Sequence, residues 1–141
     1  MPRRAETVLT VIVLIALPTV MYGGYSLLGL QTAGNLTEFQ TTYFRAGHAH
    51  AGVLLVMTLA ALNAAGRFGL PERLIWPSGI LLLVGTLAQS GGMFLHMVLG
   101  APGEWSVGNT LTTVGAIVLV AGFVTLIYGI VTSRSRVHAA A

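Results

Sequence analysis

The sequence contains no cysteine and very little charge. Without cysteine, the chain cannot form disulfides, thiolate metal sites or a cysteine nucleophile, so any metal must be bound by histidine, methionine or carboxylate side chains. Charged residues make up 8% of the chain, whereas soluble domains carry about 25%. All basic residues are arginines, mostly in short loops or tails, which indicates membrane topology and predicts no nucleic-acid partner.

Apolar residues, in contrast, make up 55% of the 141 residues, and the mean hydropathy is +0.82. At about 20 apolar residues per membrane-spanning helix, this length predicts a single domain of about four spans. We therefore expect an all-α membrane protein, a four-helix transmembrane bundle in the lipid bilayer of the cell membrane. The predicted spans cover about residues 6–30, 43–65, 74–99 and 109–132.

The distribution of arginine predicts the orientation. Only Arg45 lies on one side of the predicted spans, and the other arginines lie on the opposite side: Arg3, Arg4, Arg67, Arg73, Arg134 and Arg136. By the positive-inside rule, both termini are cytoplasmic.

The second predicted span begins with the motif FRAGHAHAG, residues 44–52. In a regular helix His48 and His50 point about 200° apart, so they cannot both bind one metal ion from that helix. His96 lies near the same membrane face on the third span, which runs antiparallel to the second. The sequence therefore predicts that His96 and one histidine of the second span face each other.

Two glycines accompany these histidines. Gly52 lies four residues after His48, and Gly92 lies four residues before His96. Because the two spans are antiparallel, each glycine lies about 6 Å deeper on the face of its own histidine. A flat macrocycle held by two imidazoles needs such missing side chains, and so does a helix pair in close contact.

Three interpretations of this cluster remain open. The first is a heme b between the second and third spans, with an imidazole of each as axial ligand. The second is a copper or zinc site. The third is structural, with histidines that hydrogen-bond across helices. Arg45 pairs with a carboxylate or a heme propionate, or extends to the lipid headgroups. The candidate metal ligands are His48, His50, His96, Glu38, Glu104 and Met93.

The segment GHAHAG, residues 47–52, resembles the GHxHxG helix of subunit I in heme-copper oxidases and nitric oxide reductases. In that helix, two histidines ligate two different hemes. A longer segment, LTEFQ followed by YFRAGHAHAGVLL, is similar to small four-span actinobacterial membrane proteins. That resemblance implies the topology and marks the motif. The third span departs from that family, which often has GFFLS where this chain has GMFLH.

The sequence thus favours a small membrane protein that binds heme or a transition metal and works in electron transfer with a redox partner. The alternative is a subunit or assembly factor of a larger membrane complex, without a cofactor. A third possibility is a proton- or metal-coupled transporter that works as a homo-oligomer. The glycines at seven-residue spacing in the fourth span, Gly115, Gly122 and Gly129, favour close helix packing within the bundle over a dimer-specific motif.

Overall fold

The computed structural model describes the backbone of residues 4–139 and the side chains of residues 4–133. All four of its helices are long and apolar enough to cross a membrane, which confirms the predicted four-helix transmembrane bundle. Each predicted span lies within one helix. The helices are α1 (Arg4–Thr32), α2 (Glu38–Arg67), α3 (Glu72–Leu99) and α4 (Val107–Ala139).

Helix α3 occupies the centre of the bundle. It packs against all three other helices, most extensively against α4. Helix α1 packs against α2 and α3, and among the described residues it makes no contact with α4. Helix α3 therefore contacts α4 and α1 through separate surfaces.

The antiparallel helices give the bundle two chemically different ends. The arginine end carries Arg4, Arg67 and Arg73, and there the Ala5 N–H donates to the Glu72 carboxylate at 3.0 Å. The opposite end, called here the histidine end, carries the three histidines of α2 and α3. Arg3 lies outside the described residues, as do the side chains of Arg134 and Arg136. The assignment of the arginine end to the cytoplasm remains a prediction from the arginine distribution.

The hydrophobic core is concentrated towards the arginine end, where large side chains of the first three helices and of the loop between α2 and α3 are fully buried: Leu9, Leu62, Leu70, Ile75 and Leu82. At the histidine end, most buried positions are small or polar: Gly47, Ser90, Gly92, His96 and Gly108. Packing at this end therefore depends on the close approach of helix backbones and on contacts between aromatic and histidine rings.

The start of α2 places the histidines further from the end of the helix than expected. Thr37 and Gln40 form a capping box, in which each side chain bonds the backbone of the other residue. Helix α2 therefore begins at Glu38, before the predicted start near residue 43. His50 lies 50 − 38 = 12 residues further on, about 18 Å along a helix that is about 45 Å long. A hydrocarbon core about 30 Å thick, centred on this helix, would include His50.

Candidate functional site at the histidine end

His96 is enclosed by other side chains of this chain. It is 3% exposed, and its ring packs edge-on against Phe39 and Tyr43 of α2, with centroids 5.2 and 4.3 Å away. Its Nδ1 lies 2.7 Å from the Ser106 hydroxyl, in the loop that leads into α4. His96 thus joins α2, α3 and the start of α4. With the ring enclosed in this way, no space remains beside it for a macrocycle.

The Ser106 hydroxyl links His96 to the start of α4. It accepts a hydrogen bond from the Gly108 N–H at 3.1 Å, which caps the first turn of the helix. Its single proton can go to His96 Nδ1, or to Asn109 Oδ1 at the longer distance of 3.2 Å. A hydrogen bond in either direction between Ser106 and His96 holds the loop on α3. His96 thus has hydrogen-bond and ring partners within the chain.

His48 faces α1. A Cβ atom added to Gly24 would lie 2.9 Å from His48 Nε2, and one added to Gly23 would lie 3.6 Å from Nδ1. The ring of this half-buried histidine therefore packs on the backbone of two consecutive glycines of α1. Gly52, on the same face of α2, lies beside Val20 of α1. His48 therefore does not face His96, which is one of the two pairings that the sequence left open.

His50 lies on the side of α2 opposite to His48. Its Nδ1 lies 2.8 Å from the carbonyl oxygen of Ala46, and no other hydrogen bond of this ring occurs among the described residues. Because a carbonyl can only accept, Nδ1 carries the proton, and in the neutral ring Nε2 is a lone-pair acceptor. The ring borders an open apolar pocket of about 180 Å³, lined also by Ala49, Val53 and Leu54.

Gly92 lies where two helices are in close contact, which is one of the two uses that the sequence left open for this glycine. A Cβ atom there would lie 2.5 Å from the Thr112 nitrogen and 2.6 Å from the Gly108 oxygen, because α4 fills the gap. The seven-residue glycine spacing of α4 begins at Gly108, and all these glycines face α3 at close range: Gly108, Gly115, Gly122 and Gly129. The glycine stripe therefore serves helix packing within the chain.

The other predicted ligands do not join the histidines in one site. Arg45, Glu38 and Glu104 are exposed, and Met93 is half-buried. Among the described residues, no group of three or more histidine or carboxylate side chains could hold a metal ion.

Sequence reasoning missed the partners of the two packed histidines: Phe39, Tyr43, Ser106, Gly23 and Gly24. Two local signals were available for some of these contacts. Phe39 and Tyr43 are four residues apart and thus share one helix face, and Ser106 precedes Asn109 in the spacing of a helix cap.

The three histidines thus face three environments: a polar cluster at the start of α4, the backbone of α1, and an apolar pocket on the outside of α2. Comparison of the chain with known protein families, with curated proteins and with solved structures finds no match.

Proposed function

We propose that this chain is a multi-pass protein of the cell membrane that binds heme b through His50 and takes part in electron transfer. The observation that supports this proposal is the hydrogen bond from His50 Nδ1 to Ala46 O, which directs the lone pair to Nε2. Metal-bound histidines are commonly held in this way, since a bond to a backbone carbonyl fixes the tautomer.

The position of His50 supports the same proposal. An imidazole acceptor inside the hydrocarbon region finds no water, and an unpaired polar group there is unfavourable. Ionisable groups at such depth are commonly functional. A ligand with an electron-pair acceptor, such as heme iron, would satisfy Nε2.

Heme is favoured over a bare copper or zinc ion by the number of protein ligands needed. Structural and catalytic zinc sites use three or four protein donors, and copper sites are similar. The described residues contain no such group. A heme brings four nitrogen ligands of its own and requires only axial donors from protein. When bound, it would supply one-electron chemistry.

The pocket beside His50 is too small to enclose a heme, because ligand pockets typically measure about 300 to 1,000 Å³ and this one measures about 180 Å³. We therefore propose that another membrane chain, either a second copy or a redox partner, covers the His50 face. Val53 and Val56, both exposed on α2, would lie in that contact.

The proposal is tested by absorption spectra of protein expressed with ample heme and purified in mild detergent, air-oxidised and then reduced with dithionite. We expect a Soret band with reduced α and β bands that are lost in His50→Ala and regained when imidazole is added. His48→Ala serves as the matched control and should keep the spectrum. A spectrum that survives His50→Ala, or wild-type protein without heme or stoichiometric metal, would overturn the proposal.

The second candidate is a subunit or assembly factor without a cofactor. It is favoured by the packing of His48 and His96, both of which make contacts within the chain, and by the filled space at Gly92. If this candidate is correct, the wild-type spectrum is featureless, and the chain copurifies with a larger membrane complex after gentle solubilisation.

A further inference from the structure

The side of α1 that faces away from α2 and α3 carries a row of large, exposed side chains. Each is between 50% and 74% exposed, and together they form what we call the α1 seam: Leu14, Ile15, Met21, Tyr22, Tyr25 and Leu28. Leu14, Met21 and Leu28 follow one another at seven-residue spacing, and Ile15 and Tyr22 repeat it beside them. This spacing is typical of the line of contact between two packed helices.

The two tyrosines of the α1 seam lie within the apolar part of the helix. Tyr22 is 22 − 4 = 18 residues from the start of α1, about 27 Å along a helix that is about 43 Å long. Tyr25 lies about 4.5 Å further on. A hydrocarbon core about 30 Å thick, centred on this helix, would include both residues. Leu27, Leu28 and Leu30 continue the apolar segment beyond them.

The hydroxyl groups of these tyrosines lack partners. The two rings contact each other, with centroids 6.4 Å apart, and neither hydroxyl has a hydrogen bond among the described residues. Helical side chains tilt towards the N-terminus of their helix, so Tyr22 and Tyr25 tilt towards the middle of α1 and away from its nearer end. Lipid chains offer no hydrogen-bond partner, and exposure of these hydroxyls to them would be unfavourable.

The outward side of α4 differs from the α1 seam. In the middle of α4, the exposed side chains are aliphatic and have no polar atom that needs a partner: Ile117, Val120 and Val124. Lipid chains therefore suit this part of α4 without further contacts. The α1 seam, in contrast, calls for a helix that supplies hydrogen-bond partners at the level of Tyr22 and Tyr25.

We propose that the α1 seam binds the α1 seam of a second copy of this chain, in a parallel pair related by a two-fold axis along the membrane normal. In such a pair, equal residues lie at the same level. A phenol hydroxyl both donates and accepts, so Tyr22 and Tyr25 can bond the same residues of the second copy. The α1 seam has no charged side chain that would select a charged partner. His50 lies on the side of α2 opposite to α1, so this interface is independent of heme binding there.

The test uses the full chain in phosphatidylcholine vesicles, labelled at Asn35→Cys in the loop after α1, because the chain has no other cysteine. Energy transfer between donor- and acceptor-labelled copies is measured as the protein is diluted into lipid, and we expect a dimer that dissociates on dilution. Tyr22→Phe combined with Tyr25→Phe should weaken association about 3- to 20-fold, as for hydrogen bonds between membrane helices. Tyr128→Phe is the matched control, since Tyr128 is an exposed tyrosine of α4, and should leave association unchanged.

A second measurement locates the interface. Oxidation with copper phenanthroline should crosslink Leu28→Cys between copies, whereas Val124→Cys, at a similarly exposed position of α4, should stay uncrosslinked. Elution and helix content show that each variant is folded. Three results would overturn the proposal: monomers at every protein-to-lipid ratio, crosslinking of Val124→Cys in place of Leu28→Cys, or equal association of wild type and the double phenylalanine variant.

Discussion

Two neighbouring glycines of α3 have opposite surroundings. Towards α4, Gly92 and its partner Gly108 leave so little room that an added Cβ at either position would overlap backbone atoms of the facing helix. At the neighbouring residue Gly91, in contrast, an added Cβ would have no heavy atom within 4 Å. Two consecutive glycines therefore have unrelated roles, one in close helix approach and the other in leaving space.

This difference shows why small residues in a membrane helix do not by themselves identify a binding site. Close approach gains dispersion and backbone contacts, which drive helix association where no hydrophobic effect acts between helices in lipid. Empty space loses those contacts and persists only where the surrounding helices do not close on it. The facing helix decides between the two results, and the local sequence pattern is the same for both.

The largest effect that we expect is that of Gly92→Leu. The added side chain would meet the α4 backbone, which cannot move as a side chain can, so the free energy of unfolding should fall by at least about 4 kcal/mol. Gly91→Leu, one position earlier, should change it by less than about 1 kcal/mol. Reversible unfolding in mixed micelles measures both. Equal losses of stability would show that an added side chain has equally little space at the two positions.

A smaller effect is expected from His96→Ala, which leaves a cavity between Phe39 and Tyr43 and should cost about 2 to 4 kcal/mol. Ser106→Ala removes the cap of α4 and should cost about 0.5 to 2 kcal/mol. In a double-mutant cycle the two changes should show a coupling of about 0.6 to 1.7 kcal/mol, as for hydrogen bonds between membrane helices. Strictly additive losses would contradict a direct bond between these side chains.

The contact of His48 with α1 is tested by a second pair of adjacent glycines. Gly24→Ala should destabilise the protein by about 1 kcal/mol relative to Gly23→Ala, because only its Cβ comes within 3 Å of the His48 ring. In a His48→Ala background this difference should disappear, and both alanines should stabilise α1 through their higher helix propensity. A difference that persists without the ring would place the obstruction elsewhere.

The smallest effect on stability is expected for His50→Ala. Its ring bonds only its own helix and borders an open pocket, so the free energy of unfolding should change by no more than about 0.5 kcal/mol. Measured on protein without heme, this result separates a ligand-binding histidine from the packing histidines. A loss as large as that of His96→Ala would instead assign His50 to the core of the bundle.

The sequence by itself determined the four helices and their class. Low charge and long apolar runs predict segments that lie in lipid. Because lipid offers no hydrogen-bond partners, the backbone groups of each segment must bond within it, and helices meet this requirement. The opposite directions of His48 and His50 also followed from helix geometry alone. The start of α2 was predictable from the capping box of Thr37 and Gln40, a local pattern that the hydropathy of the span conceals.

Only the tertiary structure decided what each side of a helix contacts. His96 contacts Ser106, and His48 contacts α1. Helix α4 fills the space beside Gly92, because the central helix α3 presents different faces to its three neighbours. These contacts join residues far apart in the chain, and their choice depends on how whole helix surfaces fit together. A short motif fixes the direction of a side chain relative to its own helix, but the neighbour that it meets follows from the packing of the entire bundle.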